Sequence, residues 1–178
     1  IPFAEFVADV RNFLSPYGYH VSVALAPKIS DTQAGLLYEG KDYRLLGEAA
    51  DSVLLMTYEW GYTYGPPMAV APVNKVREVV EYAVTRIDPA EIDLGIPNYG
   101  YDWTLPFVQG SSRATTVSNQ AAVQIAIEAG VPIQFDEVAK SPFFQYEKNG
   151  QLHEVWFEDV RSYKEKFALL PEFGLRGM

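Results

Sequence analysis

The sequence predicts an α/β fold in which parallel strands alternate with helices, followed by an α+β segment. Three observations carry that expectation. Helical and strand periodicities alternate from Phe3 to Gly100. The strands are continuous apolar runs, as in sheets buried on both faces. Their ends are rich in Pro, Tyr, Trp and acid, the end at which a (β/α) barrel carries its functional groups.

The elements follow in order. Phe3, Phe6, Val7, Val10, Phe13 and Leu14 recur at helical spacing, and Ser15-Pro16-Tyr17-Gly18 ends that helix. "HVSVALAP" is the first strand, with Val21, Val23 and Leu25 on one face and Ser22, Ala24 and Ala26 on the other. A short helix near Tyr43 to Ala50 leads to the second strand, "SVLLMTY". Val73, Val76, Val79, Val80, Ala83, Val84 and Ile87 form a helical stripe, with Pro72 at its start where proline is tolerated. "IDLGIPNYG" is the third strand.

The character then changes. Ser118 caps a helix through Ala129 that Gly130 closes. "IQFDEV" and "FFQYEKNGQLHEVWF" read as short strands, with a hairpin at Asn149-Gly150. Asp159 to Leu170 is a last helix, and "FGLRGM" leads towards another strand. Three strands are too few for a self-contained parallel sheet, and no Gly-rich phosphate loop follows the first. The expected architecture is about half of a (β/α) barrel over residues 1–104, an α+β insertion over 105–158, and the last helix of the barrel segment over 159–178. The chain opens in mid-pattern without Met and is expected to be a piece of a longer protein.

Composition narrows the chemistry. With 48% hydrophobic and 21% charged residues, a packed core is expected. The absence of cysteine excludes disulfides, thiolate-bound zinc and a thiol nucleophile. A net charge of -9 would repel phosphates, so no nucleic acid partner is expected. No apolar run is long enough to span a membrane. His20 and His153 lie far apart and do not suggest a metal site. His20 is expected to be structural, and His153 a surface hairpin residue.

Three strand ends remain: "ALAPK", "MTYEWGY" and "IPNYGYDW". Tyr58, Trp60, Tyr62, Tyr99, Tyr101 and Trp103 offer flat apolar faces with hydrogen-bonding groups, which suits sugar rings. Core aromatics or a subunit interface are the competing explanation.

These stretches resemble glycoside hydrolase family 18, the chitinase-type barrels. "LLMTYEWGY" is similar to that family's Met-x-Tyr-Asp signature on the sixth strand, "IDLGIPNYGYDW" to its seventh strand and "HVSVALAPK" to its fifth. "HEVWFEDVRSY" resembles the end of its α+β insertion, and bacterial cell-wall and spore-cortex glycosidases are the nearest branch. The resemblance implies a partial TIM barrel, about strands 5 to 7. It implies an N-acetylglucosamine polymer, peptidoglycan or chitin, cleaved by substrate-assisted retention. No metal or organic cofactor is implied, and a bacterial extracellular, cell-wall or spore-envelope setting is.

By the same resemblance, Tyr58 matches the tyrosine that hydrogen-bonds the attacking N-acetyl group. Met56 matches the pocket floor, and Ala26 a small residue beside the N-acetyl methyl. Glu59 replaces the usual Asp and is one methylene longer. Tyr99 matches a cleft tyrosine, and Tyr101 stands where many relatives have a basic residue. Trp60, Tyr62, Trp103 and Trp156 are the remaining candidate sugar contacts. The family's general-acid motif, Asp-x-x-Asp-x-Asp-x-Glu, does not occur in this sequence. The expectation is therefore that the acid lies upstream, that this chain alone is inactive, and that exposed barrel edges drive self-association or strand exchange. A sugar-binding barrel without catalysis is the alternative.

Overall fold

A computed structural model describes residues 2–178. In chain order the elements are α1 (Pro2–Leu14), β1 (Ser22–Leu25), α2 (Tyr43–Ala49), β2 (Ser52–Leu55), α3 (Val73–Ala83), β3 (Ile92–Leu94) and β4 (Tyr99–Thr104). Then come β5 (Thr115–Ser118), α4 (Asn119–Ala129), β6 (Gln134–Asp136), β7 (Ser141–Lys148), β8 (Gln151–Trp156) and α5 (Val160–Phe173). The residues group into two compact units.

The first unit holds the chain up to Thr57, Arg77–Gly95 and Ala168–Met178. Its sheet is parallel in the order β1-β2-β3. The register aligns Val23, Val53 and Ile92 in one row and Leu25, Leu55 and Leu94 in the next, all buried. Such rows are what continuous apolar strands produce when both faces are covered. Asp42 caps α2 by accepting from the Leu45 N–H at 3.0 Å. Arg11 of α1 donates to Asp51 at 2.7 Å, and Asp51 also accepts from the Val21 N–H, tying the helix to the entry side of the sheet. His20 bonds the Ser52 hydroxyl on that same side.

Two expectations change here. The apolar stripe of α1 is divided: Ala4 and Val7 are buried, whereas Phe6 and Phe13 are 63% and 71% exposed. "IDLGIPNYG" is not one strand. The Gly95 N–H still reaches the Leu55 carbonyl, but Pro97 has no N–H to continue a ladder, and Tyr99 opens β4 in a different sheet. The C-terminal segment does run beside β3. The Leu94 N–H donates to the Gly177 carbonyl, and the Arg176 side chain pairs with Asp93.

The second unit holds Tyr58–Val76 and Ile96–Phe167. Its sheet is antiparallel throughout, in the order β5-β4-β8-β7-β6. Asn149 and Gly150, both at positive φ, make the expected β7–β8 hairpin. On one face α4 lays Ala122 and Ala126 against Phe144, Tyr146, Val155 and Phe157. Ser118 caps α4, and Gly130 ends it in the left-handed conformation, as the sequence predicts. Asp159 caps α5 by accepting from the Arg161 and Ser162 N–H groups, and α5 continues to Phe173. The other face packs Tyr101 and Trp103 with Val70 and Ala114. Gly100 is required between β4 and β8: a Cβ there would lie 2.2 Å from the Trp156 carbonyl oxygen.

Candidate functional site

The centre of the second unit's polar face is Glu59. It follows Tyr58 directly and adopts a left-handed backbone, φ 70°, that costs a side-chain-bearing residue roughly 1 kcal/mol. Beyond it, the Trp60 N–H donates to the Val70 carbonyl and the Gly61 N–H to that of Ala69, closing a loop over residues 62–68. Gly61 is essential to that closure, because a Cβ would sit 2.1 Å from the Met68 oxygen.

The turn aims the Glu59 carboxylate at β4. The Tyr99 hydroxyl donates to it at 2.5 Å, and the Tyr101 hydroxyl donates to its two oxygens at 3.0 and 3.2 Å. Contacts of this kind to a carboxylate are about twice as strong as neutral ones. Burial, and then the neighbouring carboxylate, pushes both tyrosine hydroxyls up, so both stay protonated donors. The extra methylene that separates Glu59 from the Asp of the family signature thus spans to a tyrosine pair. The Tyr99 and Tyr101 rings meet edge to face at 5.8 Å, and Tyr58 packs against the same cluster.

The other sequence candidates divide. Trp156 is half-buried, stacked on Phe143 at 4.6 Å, with its indole N–H on Glu154 at 2.7 Å. Trp60 is half-buried, and Tyr62 is 40% exposed on the closed loop, its ring lying over Gly65. Trp103 is a correction. It is 1% exposed, and its indole N–H donates to the Gly65 carbonyl at 2.8 Å, so it is a core anchor with no face left for a sugar. Tyr101 is buried to 5% exposure and acts towards Glu59 through its hydroxyl rather than as a stacking surface.

Ala26 and Met56 belong to the first unit, one residue beyond the paired Leu25 and Leu55. Ala26 is buried, and its carbonyl accepts from the Tyr43 hydroxyl at 2.6 Å. The Met56 N–H continues the ladder onto the Leu25 carbonyl. Thr57 is fully buried and donates to the Gly95 carbonyl at 2.8 Å.

Two polar clusters have no counterpart among the sequence expectations. His153 does lie on the hairpin, but it is half-buried and partnered: it bonds Asp102 at 2.9 Å, and the Tyr146 hydroxyl donates to the other oxygen of that carboxylate at 2.6 Å. Lys166 and Glu158 form an ion pair at 2.8 Å with both side chains 1% exposed. Burial pushes the Glu158 carboxyl up, against the pull of Lys166. The Glu158 N–H donates to Asn119, Asn119 donates to the Tyr163 hydroxyl, and that hydroxyl donates to the Pro97 carbonyl just ahead of Tyr99.

The class is an α/β protein of the (β/α)-barrel kind: parallel strands joined by helices in one unit, an antiparallel sheet with its own helix in the other, and no closed barrel among the described residues. The chain belongs to glycosyl hydrolases family 18, whose profile matches residues 2–178. It is 49% identical over 175 residues to the cortical fragment-lytic enzyme of Bacillus subtilis (strain 168), covering 98% of this chain and 41% of that protein. The crystal structure of the Bacillus megaterium QM B1551 spore cortex-lytic enzyme SleL superposes with a TM-score of 0.94 at 46% identity, over 99% of this chain and 40% of that one. A chitinase from Chromobacterium violaceum ATCC 12472 superposes with a TM-score of 0.90 at 28% identity, over 98% and 54%. The chain spans about two-fifths of the length of the spore-enzyme relatives it matches.

Proposed function

We propose that the chain supplies one wall of the cleft of a glycosidase that hydrolyses β-1,4-linked N-acetylglucosamine polymers. Peptidoglycan of a bacterial cell wall or spore envelope is favoured over chitin by the similarity to cortex-lytic enzymes. The observation that carries the reading is the convergence of the Tyr99 and Tyr101 hydroxyls on Glu59, at the strained turn directly after Tyr58. Strain held in place by surrounding bonds is a mark of functional turns.

In this reading the Tyr58 hydroxyl donates to the N-acetyl carbonyl as it closes on the anomeric carbon, stabilising the oxazolinium-like intermediate. Glu59, Tyr99 and Tyr101 form the polar wall. Trp60, Tyr62 and Trp156 contribute aromatic surface, and the family resemblance alone supports Ala26 and Met56 as sugar contacts. The α+β insertion, expected over residues 105–158, takes in β4 as well, because Tyr99–Thr104 pairs with β5 and β8 in the antiparallel sheet. The leaving oxygen still needs a proton donor, and the family's acid motif does not occur in this sequence. The chain alone therefore binds without hydrolysing. The same missing motif favours, as a second reading, a sugar-binding barrel of the family without catalysis. The open edge of β1 and the exposed Phe6, Phe13, Tyr17 and Tyr19 support self-association of the isolated chain.

Titration of the chain with N-acetylglucosamine oligomers and with cortex muropeptides, followed by tryptophan fluorescence, tests the binding. A saturable change without release of reducing ends is expected. Hydrolysis by the purified chain contradicts the assignment of the proton donor elsewhere, and no response to either ligand contradicts the cleft.

A further inference from the structure

The five-stranded sheet ends at β5, which pairs with β4 alone. The register fixes which groups that edge leaves open. The Leu105 N–H donates to the Leu152 carbonyl, continuing the pairing of Tyr101 with Trp156 and of Trp103 with Glu154. In an antiparallel ladder the N–H and C=O of one residue point to the same side, and the side alternates along the strand. Tyr101 and Trp103 therefore face β8, whereas Gly100 and Asp102 face β5 at Val117 and Thr115. Thr116, opposite Tyr101, is left with its N–H and C=O pointing away from the sheet. Ala114 points the same way, and there the loop over residues 62–68 closes the edge: the Ala114 N–H donates to the Thr63 carbonyl at 2.8 Å.

A cation stands at the start of this edge. Arg113 is exposed, and its guanidinium lies 5.8 Å from the Tyr64 ring. Arg11, Arg77, Arg86, Arg161 and Arg176 are all paired with carboxylates, whereas Arg113 makes no ion pair among the described residues. A guanidinium against an aromatic ring keeps its planar fork of N–H donors for a carboxylate. Thr63, Arg113, Ala114, Thr115 and Thr116 line a cavity of about 280 Å³, and none of them is acidic, in a chain whose net charge is -9. An unpaired arginine beside an open strand edge is complementary to an extended peptide that carries a carboxylate. The main chain of such a peptide adds to the ladder, and its charge meets the cation.

We infer that the outer edge of β5 and Arg113 form a peptide-binding site, in which an extended acidic peptide pairs with Thr116 and Arg113 takes its carboxylate. Peptidoglycan carries peptides of this chemistry on its glycan, and chitin carries none. The site thus distinguishes peptide-bearing from bare glycan, a step that rests on the proposed peptidoglycan substrate, whereas the edge and its cation do not.

Amide NMR and calorimetry of the full chain test this with three probes: the tripeptide alanyl-glutamyl-alanine, the same tripeptide amidated at both carboxyls, and N-acetylmuramic acid. Saturable shifts over residues 114–118 and slower exchange of the Thr116 amide are expected with the acidic tripeptide. Arg113→Ala is expected to weaken it about tenfold, the scale of one charge-assisted hydrogen bond, and amidation to do the same. Thr116→Pro removes the outward N–H without removing a bond to β4, and is expected to abolish the shifts while the amides of β8 stay in place. Binding that survives Arg113→Ala and amidation undiminished, shifts outside β5, or no binding of the tripeptide overturns the site. N-acetylmuramic acid binding as tightly as the tripeptide overturns the strand pairing, because it brings a carboxylate without a peptide. Peptide binding without any response to N-acetylglucosamine oligomers overturns the proposed cleft alone, and the reverse overturns this site alone.

Discussion

The two units spend their buried side chains differently. In the first, the sheet buries aliphatic rows: Val53, Leu55, Ile92 and Leu94 are all at 0% exposure. In the second, charge goes inside as well, with Glu158 and Lys166 each at 1% and Asp102, His153 and Tyr146 bonded together at the sheet. Parallel strands covered on both faces leave little room for polar side chains. The antiparallel sheet commits one face to α4 and on the other packs Tyr101 and Trp103 while leaving Glu154 and Trp156 half-buried. The first unit's sheet is thus a framework built by hydrophobic burial, its buried Lys28 lying off the strands, and the second unit carries the buried ion pair.

Substitution can break that comparison at its strongest point. Lys166→Met leaves Glu158 buried without its charge partner, and is expected to lower stability by about 3–5 kcal/mol in chemical denaturation. The double variant Lys166→Met/Glu158→Leu is expected to recover most of it, because an apolar pair of similar size needs no compensating charge. Leu55→Ala in the first unit costs a similar 2–5 kcal/mol, but no partner substitution rescues it, since the loss is a cavity. Rescue in one unit and not in the other is the signature expected of the two designs.

Glu59→Gln is the next largest change. It turns charge-assisted bonds from Tyr99 and Tyr101 into neutral ones, and oligosaccharide binding is expected to weaken roughly tenfold. Ultraviolet titration should show the Tyr99 hydroxyl ionising at lower pH than in the parent chain, because burial, the larger cause of its upward shift, remains while the contribution of the carboxylate is gone. Glu59→Asp, which restores the residue of the family signature, is expected to weaken binding too, since the shorter chain does not reach the tyrosine pair.

The smallest effect belongs to the surface of the first unit. Arg86, and then Tyr82, holds the Asp31 carboxyl down from 3.8 to about 2. A carboxyl lowered on folding contributes stability that is fully present above pH 3.8 and is lost as pH falls through about 2. Arg86→Ala is expected to flatten that acid limb slightly, and only at low salt, because the pair is exposed. Denaturation midpoints between pH 4 and 2 measure it.

Much of the framework was legible in the sequence, because burial on both faces writes itself as runs such as "SVLLM", and because Ser118, Gly130 and Asn149-Gly150 announce their turns through side-chain chemistry. The site was less legible. Glu59 carries no sign of a left-handed backbone, as a Gly or Asn would, and its partners stand forty and more residues away. Lys166 sits in the run Lys164-Glu165-Lys166, which reads as a solvated helix face, and only the fold turns it towards Glu158. Trp103 looked like a sugar contact because aromatic spacing on a strand does not reveal which loop will cover it. The Gly65 carbonyl does so here. One pairing was within reach: the antiparallel register counted outward from Asn149-Gly150 sets Glu154 opposite Gln145.

The central claim is that the polar face of the second unit is a saccharide wall organised by Glu59. Backbone-amide NMR of the full chain, titrated with N-acetylglucosamine hexamer, tests it most directly. The account predicts saturable shifts concentrated at Tyr58–Tyr62, Tyr99–Tyr101 and Trp156, which Glu59→Gln diminishes together. Shifts confined to other surfaces, or unchanged by that substitution, would contradict it.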